Sequence, residues 1–288
     1  MKLLELVIEN VAGVAEGAYA FDSASGVARD LVVLEGGATV LLETIAALFE
    51  RFRTPVSALH HRHWWAQRRG ALDARLRARW ALSEVEAARA CTPARTFVSE
   101  WTFGRQDEVP RELWAGEAPS AQVRAELARY AYLDGNRGAV WMGGPTADPL
   151  VEILTEIVRH DIAATRTCCK VGVGIVGMST PNTLAKLNQV IAPVCPSLQL
   201  KRVSCARGEA PVVCFRGPQR VMLDQLDAAE RAAIHIAAAL ATAAVRDGVI
   251  LVDRPEQHVQ REAGARWLDW LTALAAGNQL FVTIPSPG

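Results

Sequence analysis

The residues best suited to chemistry are Asp253 and Arg254, which directly follow the apolar run VILV. Such a run is typical of a strand that is buried on both faces, and a carboxylate at its end could ligate a metal ion. Arg254 cannot act as a general base, because a guanidinium stays protonated at physiological pH. The pair therefore offers a metal ligand without a group that could deprotonate water.

Two other stretches have the composition of binding sites. His60 and His63 in HHRHWW would share one face of a helix and could bind a metal, but no Cys or Asp nearby completes the ligand set. A surface or interface cluster explains them better. The run VGVGIVG has the glycine spacing of a dinucleotide loop, yet no acidic ribose partner lies between Asp161 and Glu209. We expect a plain strand or turn there.

A row of arginines lies on one side of a predicted strand. Residues 74–82 alternate strictly, with arginines on one side and apolar residues on the other, and residues 96–103 alternate in the same way. This pattern predicts an antiparallel pair of half-buried strands. A solvated outer face accounts for the arginines, and the alternative is an acidic peptide that binds beside the edge of this pair. The residues assigned to that peptide site are Arg75, Arg77, Arg79, Trp80 and Trp101.

Composition limits the classes of partner. The chain has 288 residues, of which 50% are hydrophobic, enough for a packed core. Its 31 basic and 31 acidic residues cancel, which disfavours a nucleic-acid partner that is bound by charge alone. The 6 cysteines lack metal-ligand spacing, and Glu5 and Glu9 interrupt the N-terminal apolar stretch. We therefore expect a cytoplasmic protein with reduced thiols, outside the membrane.

The order of predicted elements indicates an α/β fold in three parts. Residues 1–104 are predicted to be rich in strands, and residues 105–195 follow a mainly helical pattern that suggests a separate lobe. In residues 196–288, strands and helices alternate, which indicates a mainly parallel sheet.

Taken in order, several stretches resemble the ABC-type ATPase family in its RecF and SMC-like branch. They are LLELVIENVAGV, VVLEGG with LLETIAAL, LDQLDAAER, VILVDRPEQHV and NQLFVTIPSP. The resemblance spans nearly the whole chain. It implies an ABC ATPase-like mixed sheet with an N-terminal antiparallel β-subdomain and a helical lobe. It also implies that the family's nucleotide motifs have counterparts here.

Two of those motifs are altered at the positions that contact phosphate. The family's loop reads GxxxxGK[ST], where backbone amides wrap the phosphates and the lysine neutralises them. Gly37, Ala38 and Thr39 fall where its last three residues belong, so the lysine is missing. The family's signature LSxGE is LDAAE here. Asp227 would face a phosphate with a negative charge, and Ala229 adds a methyl group where glycine permits close approach.

The other two motifs have lost their catalytic side chains. Asp253 matches the Walker B aspartate of the family, but Arg254 replaces the glutamate that polarises the attacking water. Pro285 replaces the switch histidine of the family and supplies neither an imidazole nor a backbone donor.

These departures predict a degenerate member of the family that neither binds nor hydrolyses nucleotide and needs no cofactor or metal. We expect a pseudo-ATPase, of bacterial type, that serves as a scaffold or accessory protein for a peptide or protein partner. A homodimer or heterodimer is compatible with the resemblance. Two alternatives remain: the structural half of a heteromeric ABC-type ATPase, and a DNA-associated defence or repair component.

Overall fold

The computed structural model describes residues 1–36, 38–53, 74–103, 109–114, 117–133, 148–170, 183–203, 212–243, 245–255 and 264–284. The strands are β1 (Lys2–Glu9), β2 (Gly17–Ala20), β3 (Leu31–Glu35), β4 (Ala74–Ala81), β5 (Thr96–Phe103), β6 (Val109–Leu113), β7 (Tyr130–Leu133), β8 (Leu198–Arg202), β9 (Val212–Arg216), β10 (Gln219–Val221), β11 (Val249–Val252) and β12 (Gln279–Ile284). The α-helices are α1 (Thr39–Arg53), α2 (Glu84–Arg89), α3 (Ala121–Leu127), α4 (Pro149–Lys170), α5 (Thr183–Ile191), α6 (Ala228–Ala243) and α7 (Gly264–Leu274). Within these ranges, no helix has the length and apolar character that a membrane span requires.

The first sheet is antiparallel, with the strand order β2-β1-β4-β5-β6. The predicted alternation of β4 holds, because every second side chain enters the core. The buried residues of β4 are Ala74, Leu76, Ala78 and Trp80. After β4, Ser83 and Glu86 form a reciprocal capping box that begins α2, as the sequence predicts. The predicted N-terminal antiparallel β-subdomain is confirmed.

The second sheet has the order β3-β12-β11-β7, and both β3 and β11 pair with β12 in parallel. All four residues of β11 are buried, as are all but the last of β12. Burial on both faces explains the apolar run VILV of β11 and the apolar run LFV in β12. The carboxyl ends of parallel strands meet at one edge of a sheet, where ligands of α/β proteins commonly bind.

The third sheet, β10-β9-β8, is antiparallel, so the prediction of a mainly parallel sheet in this part of the chain is wrong for these strands. β9 and β10 are joined by Gly217 and Pro218 alone, and a connection of two residues can only form a hairpin. Gly217 has a φ of +60°, which glycine adopts without steric cost. The residues 105–195, predicted as mainly helical, also contain β6 and β7.

The chain divides into two compact units. The first comprises Met1–Tyr132, Val245–Arg254 and Ala275–Gly288, and the second comprises Leu133–Ala244 and Pro255–Leu274. The first unit holds the first two sheets with α1. In the second unit α4, α5 and α6 pack against one another. The division at residues 104 and 195 stays a prediction.

Candidate functional site

Thr39, Asp253 and Thr283 meet at the carboxyl edge of the second sheet. Asp253 directly follows β11, Thr283 lies in β12, and Thr39 begins α1. The Oδ1 atom of Asp253 accepts hydrogen bonds from Thr39 Oγ1 at 3.0 Å and from Thr283 Oγ1 at 2.7 Å. Asp253 is only 4% exposed, and a buried carboxylate needs such donors to offset its loss of hydration. Fold and sequence thus place one carboxylate and two hydroxyl groups in a single network.

Arg254 extends this network through its backbone. Its φ is +47°, in the left-handed region that residues other than glycine rarely adopt. The backbone N–H of Arg254 donates to Thr283 Oγ1 at 2.7 Å, and the same hydroxyl donates to Asp253. The side chain of Arg254 is exposed. The position that follows Asp253 therefore presents a permanent cation.

Glu43 adds a second carboxyl group to the site. It lies four residues after Thr39 in α1, a spacing that places both side chains on the same face of the helix. Burial and, secondly, the charge of Asp253 raise the pKa of the Glu43 carboxyl above its ordinary value. Two neighbouring carboxylates oppose the approach of a phosphate by Coulomb repulsion.

Ala38, which the sequence resemblance predicts to stand in place of the lysine of a phosphate loop, begins the turn before α1. It is partly buried and packs against the hydrophobic core of the first unit. Its methyl group offers no charge or hydrogen-bond donor to an anion. Gly37 and Pro285 lie outside the described residues, as do His60, His63 and the run VGVGIVG.

The N-terminus of α6 is closed by its own side chains. Asp227 Oδ1 accepts from the Glu230 backbone N–H at 2.7 Å, and Glu230 Oε2 accepts from the Asp227 N–H at 3.1 Å. This is a reciprocal capping box with an aspartate at the cap. Arg216 binds the same glutamate twice, through Nε at 3.2 Å and Nη2 at 2.6 Å. Ala229 is the second residue of the helix.

The capping box makes the N-terminus of α6 less favourable for binding an anion. A helix N-terminus attracts phosphate because its amides lack partners and its dipole is positive. Here the Asp227 carboxylate accepts from one of those amides and places a negative charge at the positive end of the dipole. The amide donors and the favourable potential that a phosphate would use are thereby partly taken up within the chain.

The arginine row of β4 is paired with carboxylates from the neighbouring strands and from the loop after β2. The pairs are Arg75–Glu9 at 3.9 Å, Arg77–Glu100 at 3.1 Å, Arg79–Glu5 at 3.3 Å and Arg79–Asp22 at 2.8 Å. In addition, β4 lies between β1 and β5, and β5 lies between β4 and β6. Neither strand has a free edge, so the prediction that a peptide adds at the edge of this pair is wrong. The assignment of Arg75, Arg77 and Arg79 to a peptide site stays a prediction.

Trp80 and Trp101 lie on the apolar side of the same sheet, as their alternation predicts. Trp80 is fully buried, and its Nε1 donates to Ser99 Oγ at 2.7 Å. Its ring packs edge-on against Phe49 and Phe52, with centroids 5.0 Å and 5.6 Å away, and Trp101 packs against Phe52 at 5.5 Å. The two tryptophans support the sheet from inside and offer no exposed aromatic surface.

Four residues of these sites have no role predicted from the sequence, although three of them lie in stretches that carry the resemblance: Glu43, Arg216, Glu230 and Thr283. Glu43 and Glu230 have a local signal, because each lies three or four residues after another site residue at a helix start. Arg216 and Thr283 have none, since their partners come from other strands and helices.

Comparison with known proteins identifies the fold. No protein-family model and no curated protein sequence match the chain. A solved structure of an Smc head bound to the C-winged helix domain of ScpA has a TM-score of 0.62 at 10% identity and covers 100% of this chain and 90% of that chain.

Two further solved structures give the same result. An Smc head with an extended coiled coil, bound to the C-terminal domain of ScpA derived from Pyrococcus furiosus, has a TM-score of 0.58 at 9% identity and covers 99% of this chain and 89% of that chain. The SMC head domain from Thermotoga maritima has a TM-score of 0.52 at 12% identity and covers 98% and 89%. This chain therefore adopts the ABC ATPase-like α/β fold of SMC head domains, with the antiparallel N-terminal sheet and helical lobe that the sequence predicts.

Proposed function

We propose that this chain is a pseudo-ATPase that hydrolyses no nucleotide and serves as a binding scaffold for a peptide or protein. The observation that carries the proposal is the residue after Asp253. At the place where hydrolysis needs a carboxylate to polarise water, Arg254 presents a guanidinium that cannot accept a proton. The neighbouring groups Thr39 and Thr283 are hydroxyls whose protons are donated to Asp253.

The charges of the described residues also fit a nucleotide poorly. A triphosphate requires cations or oriented amides around its oxygens. Ala38 supplies none, and the Glu43 and Asp253 carboxylates add repulsion. Asp227 adds a further negative charge at the N-terminus of α6. One such change could be compensated by other groups, but each of these acts in the same direction.

The scaffold part of the proposal draws on the fold. Two of the similar solved structures are SMC heads bound to domains of ScpA, so a head of this architecture can present a surface to another protein. We extend only that capability to this chain. Its formal net charge of zero gives it no bulk field for nucleic acid, which leaves a protein or peptide as the favoured class of partner.

Titration calorimetry with millimolar MgATP, together with a phosphate-release assay, tests the first part. We expect no binding heat, no phosphate release and no change in melting temperature. Arg254→Glu should behave like the parent, because Ala38 still leaves the phosphates without a lysine. Saturable binding of MgATP at micromolar concentration, or steady phosphate release, would refute the proposal.

A second candidate, the structural half of a heteromeric ATPase, is favoured by one contact. Thr39 and Asp253 keep the hydroxyl and the carboxylate of the family's pattern, 3.0 Å apart. This candidate predicts that the isolated chain binds MgATP without phosphate release and associates when MgATP is added. Light scattering with and without MgATP separates the two candidates, since any dimer of a pseudo-ATPase scaffold should be indifferent to the nucleotide.

A further inference from the structure

The sheet β10-β9-β8 has one face that is mainly buried and one face that is mainly exposed. Its strands alternate so that cross-strand partners share a face. The buried face carries Leu198, Leu200, Cys214 and Val221, all under 5% exposed. The opposite face carries the buried Val213 and, around it, Gln199, Lys201, Phe215 and Arg220. We call these last four residues the basic face.

The basic face is built around one aromatic ring. Phe215 is half-buried in the middle strand, directly opposite Gln199 of β8 and Arg220 of β10. Lys201 Nζ lies 4.6 Å from the centroid of the Phe215 ring, within the range of a cation–π contact. Lys201 and Arg220 are exposed. The Lys201 ammonium therefore lies over the Phe215 ring, and Arg220 is the cross-strand neighbour of the same residue.

Lys201 and Arg220 differ in their partners from the arginines of β4 and from Arg216. Each arginine of the β4 row has a carboxylate within 4.0 Å, and Arg216 on the buried side binds Glu230. Within the described residues, neither Lys201 nor Arg220 forms an ion pair, and the strands β8, β9 and β10 contain no acidic residue. Their charges are available to a ligand.

On the β8 edge of the sheet, a side chain occupies the backbone groups of Leu200. The Asn188 side chain accepts from the Leu200 N–H at 2.7 Å and donates to the Leu200 carbonyl at 2.9 Å. This amide takes the place that a further strand would occupy beside β8. Addition of a peptide strand at this point of the β8 edge is therefore blocked, whereas the exposed side chains of the basic face are open to a partner.

We propose that the basic face docks an acidic segment of a partner protein, a refinement that rests on the proposed scaffold function. Carboxylates of the segment would pair with Lys201 and Arg220, and an aliphatic side chain between them would cover Phe215. Charge complementarity at partly buried pairs adds specificity and affinity. A protein segment fits better than nucleic acid, because two cations around one ring are few for a phosphate backbone and the chain has no net positive charge.

The test uses the full chain and a fluorescein-labelled peptide in which Glu and Leu alternate. Fluorescence anisotropy compares the parent with the double variant Lys201→Ser, Arg220→Ser. The matched control is Arg95→Ser, Arg159→Ser, which removes the same charge from two exposed arginines outside this sheet. We expect the first variant to raise the Kd about tenfold or more, and the control to change it by less than about twofold. Circular dichroism and melting curves check that each variant folds.

Three results would overturn the proposal. The first is that the peptide shows no saturable binding, and the second is that the two double variants bind it with equal affinity. The third is that a labelled oligodeoxythymidine binds more tightly than the peptide at physiological salt, and that Lys201→Ser, Arg220→Ser weakens oligonucleotide binding to the same extent. The last result would assign the face to nucleic acid. Calorimetry with MgATP on the same preparations keeps the two proposals apart. If the chain does not bind ATP and its peptide affinity is unchanged by Lys201→Ser, Arg220→Ser, the proposal for the basic face alone is refuted. If the chain hydrolyses ATP, the pseudo-ATPase proposal is refuted.

Discussion

Thr283 offers a sharp test of the network around Asp253, because valine has nearly the same shape and favours strands. The Thr283 hydroxyl donates to the Asp253 carboxylate at 2.7 Å and accepts from the Arg254 backbone N–H at 2.7 Å. Loss of a hydrogen bond to a charged group costs about 1.5–3 kcal/mol, and an unsatisfied N–H costs about 1–3 kcal/mol. The added methyl group returns about 0.8 kcal/mol. Thr283→Val should therefore lower the free energy of unfolding by about 2–5 kcal/mol.

Thr283→Ser is the matched control. It keeps both hydrogen bonds and removes one methyl group from a site that is 2% exposed, which should cost about 1 kcal/mol. Urea unfolding, followed by circular dichroism, measures both variants, with the shift in midpoint compared at constant m. Valine as stable as serine would refute the reasoning, since packing alone would then govern this position.

Substitutions at three further positions test the cap of α6, the Glu43 carboxyl group and the backbone of Arg254. Asp227→Ala should lower stability by about 1 kcal/mol by removing the cap of α6. Asp227→Ser, which keeps a side-chain oxygen that can cap the helix, should cost less in urea unfolding, and equal losses would contradict the capping role. Because the folded-state pKa of Glu43 is raised above 4.5, its carboxyl contributes stability below pH 4.5 that is lost as the pH rises through the folded pKa. Glu43→Gln should therefore raise the melting temperature at neutral pH and lose that advantage in acid, and a constant difference across pH would argue against it. Arg254→Gly should be more stable than Arg254→Ala by about 1 kcal/mol, because glycine adopts a φ of +47° without a Cβ clash. Equal urea midpoints for the two variants would show that the backbone at this position is not strained.

Elements with a local pattern were predictable from the sequence. The alternation of β4 and β5, the apolar runs of β11 and β12, and the Ser83 capping box each depend on residues within one short stretch. Side-chain periodicity and capping are properties of the neighbouring backbone, so they do not require knowledge of the rest of the chain. The order of these elements then sufficed for the fold class.

The sequence did not show which strands lie next to each other in a sheet. β6 and β7 lie in residues predicted as mainly helical, and they become strands by pairing with β5 and with the second sheet. The prediction of an open strand edge at β4 and β5 was wrong for the same reason. Local alternation shows which side of a strand faces the core, but it does not show whether another strand lies beside it.

For the candidate site, too, the chemical groups could be read from the sequence, but the contacts between them could not. The sequence by itself determined which groups are available: a carboxylate and a guanidinium at Asp253 and Arg254, a hydroxyl at Thr39, and an acidic cap at Asp227. Only the tertiary structure decided which of them meet. Thr39 and Asp253 are 214 positions apart, and Arg79 and Glu5 are 74 positions apart. The β4 arginines are neutralised while Lys201 and Arg220 are not, because strand pairing brings carboxylates from distant parts of the chain to one face and leaves the other without them.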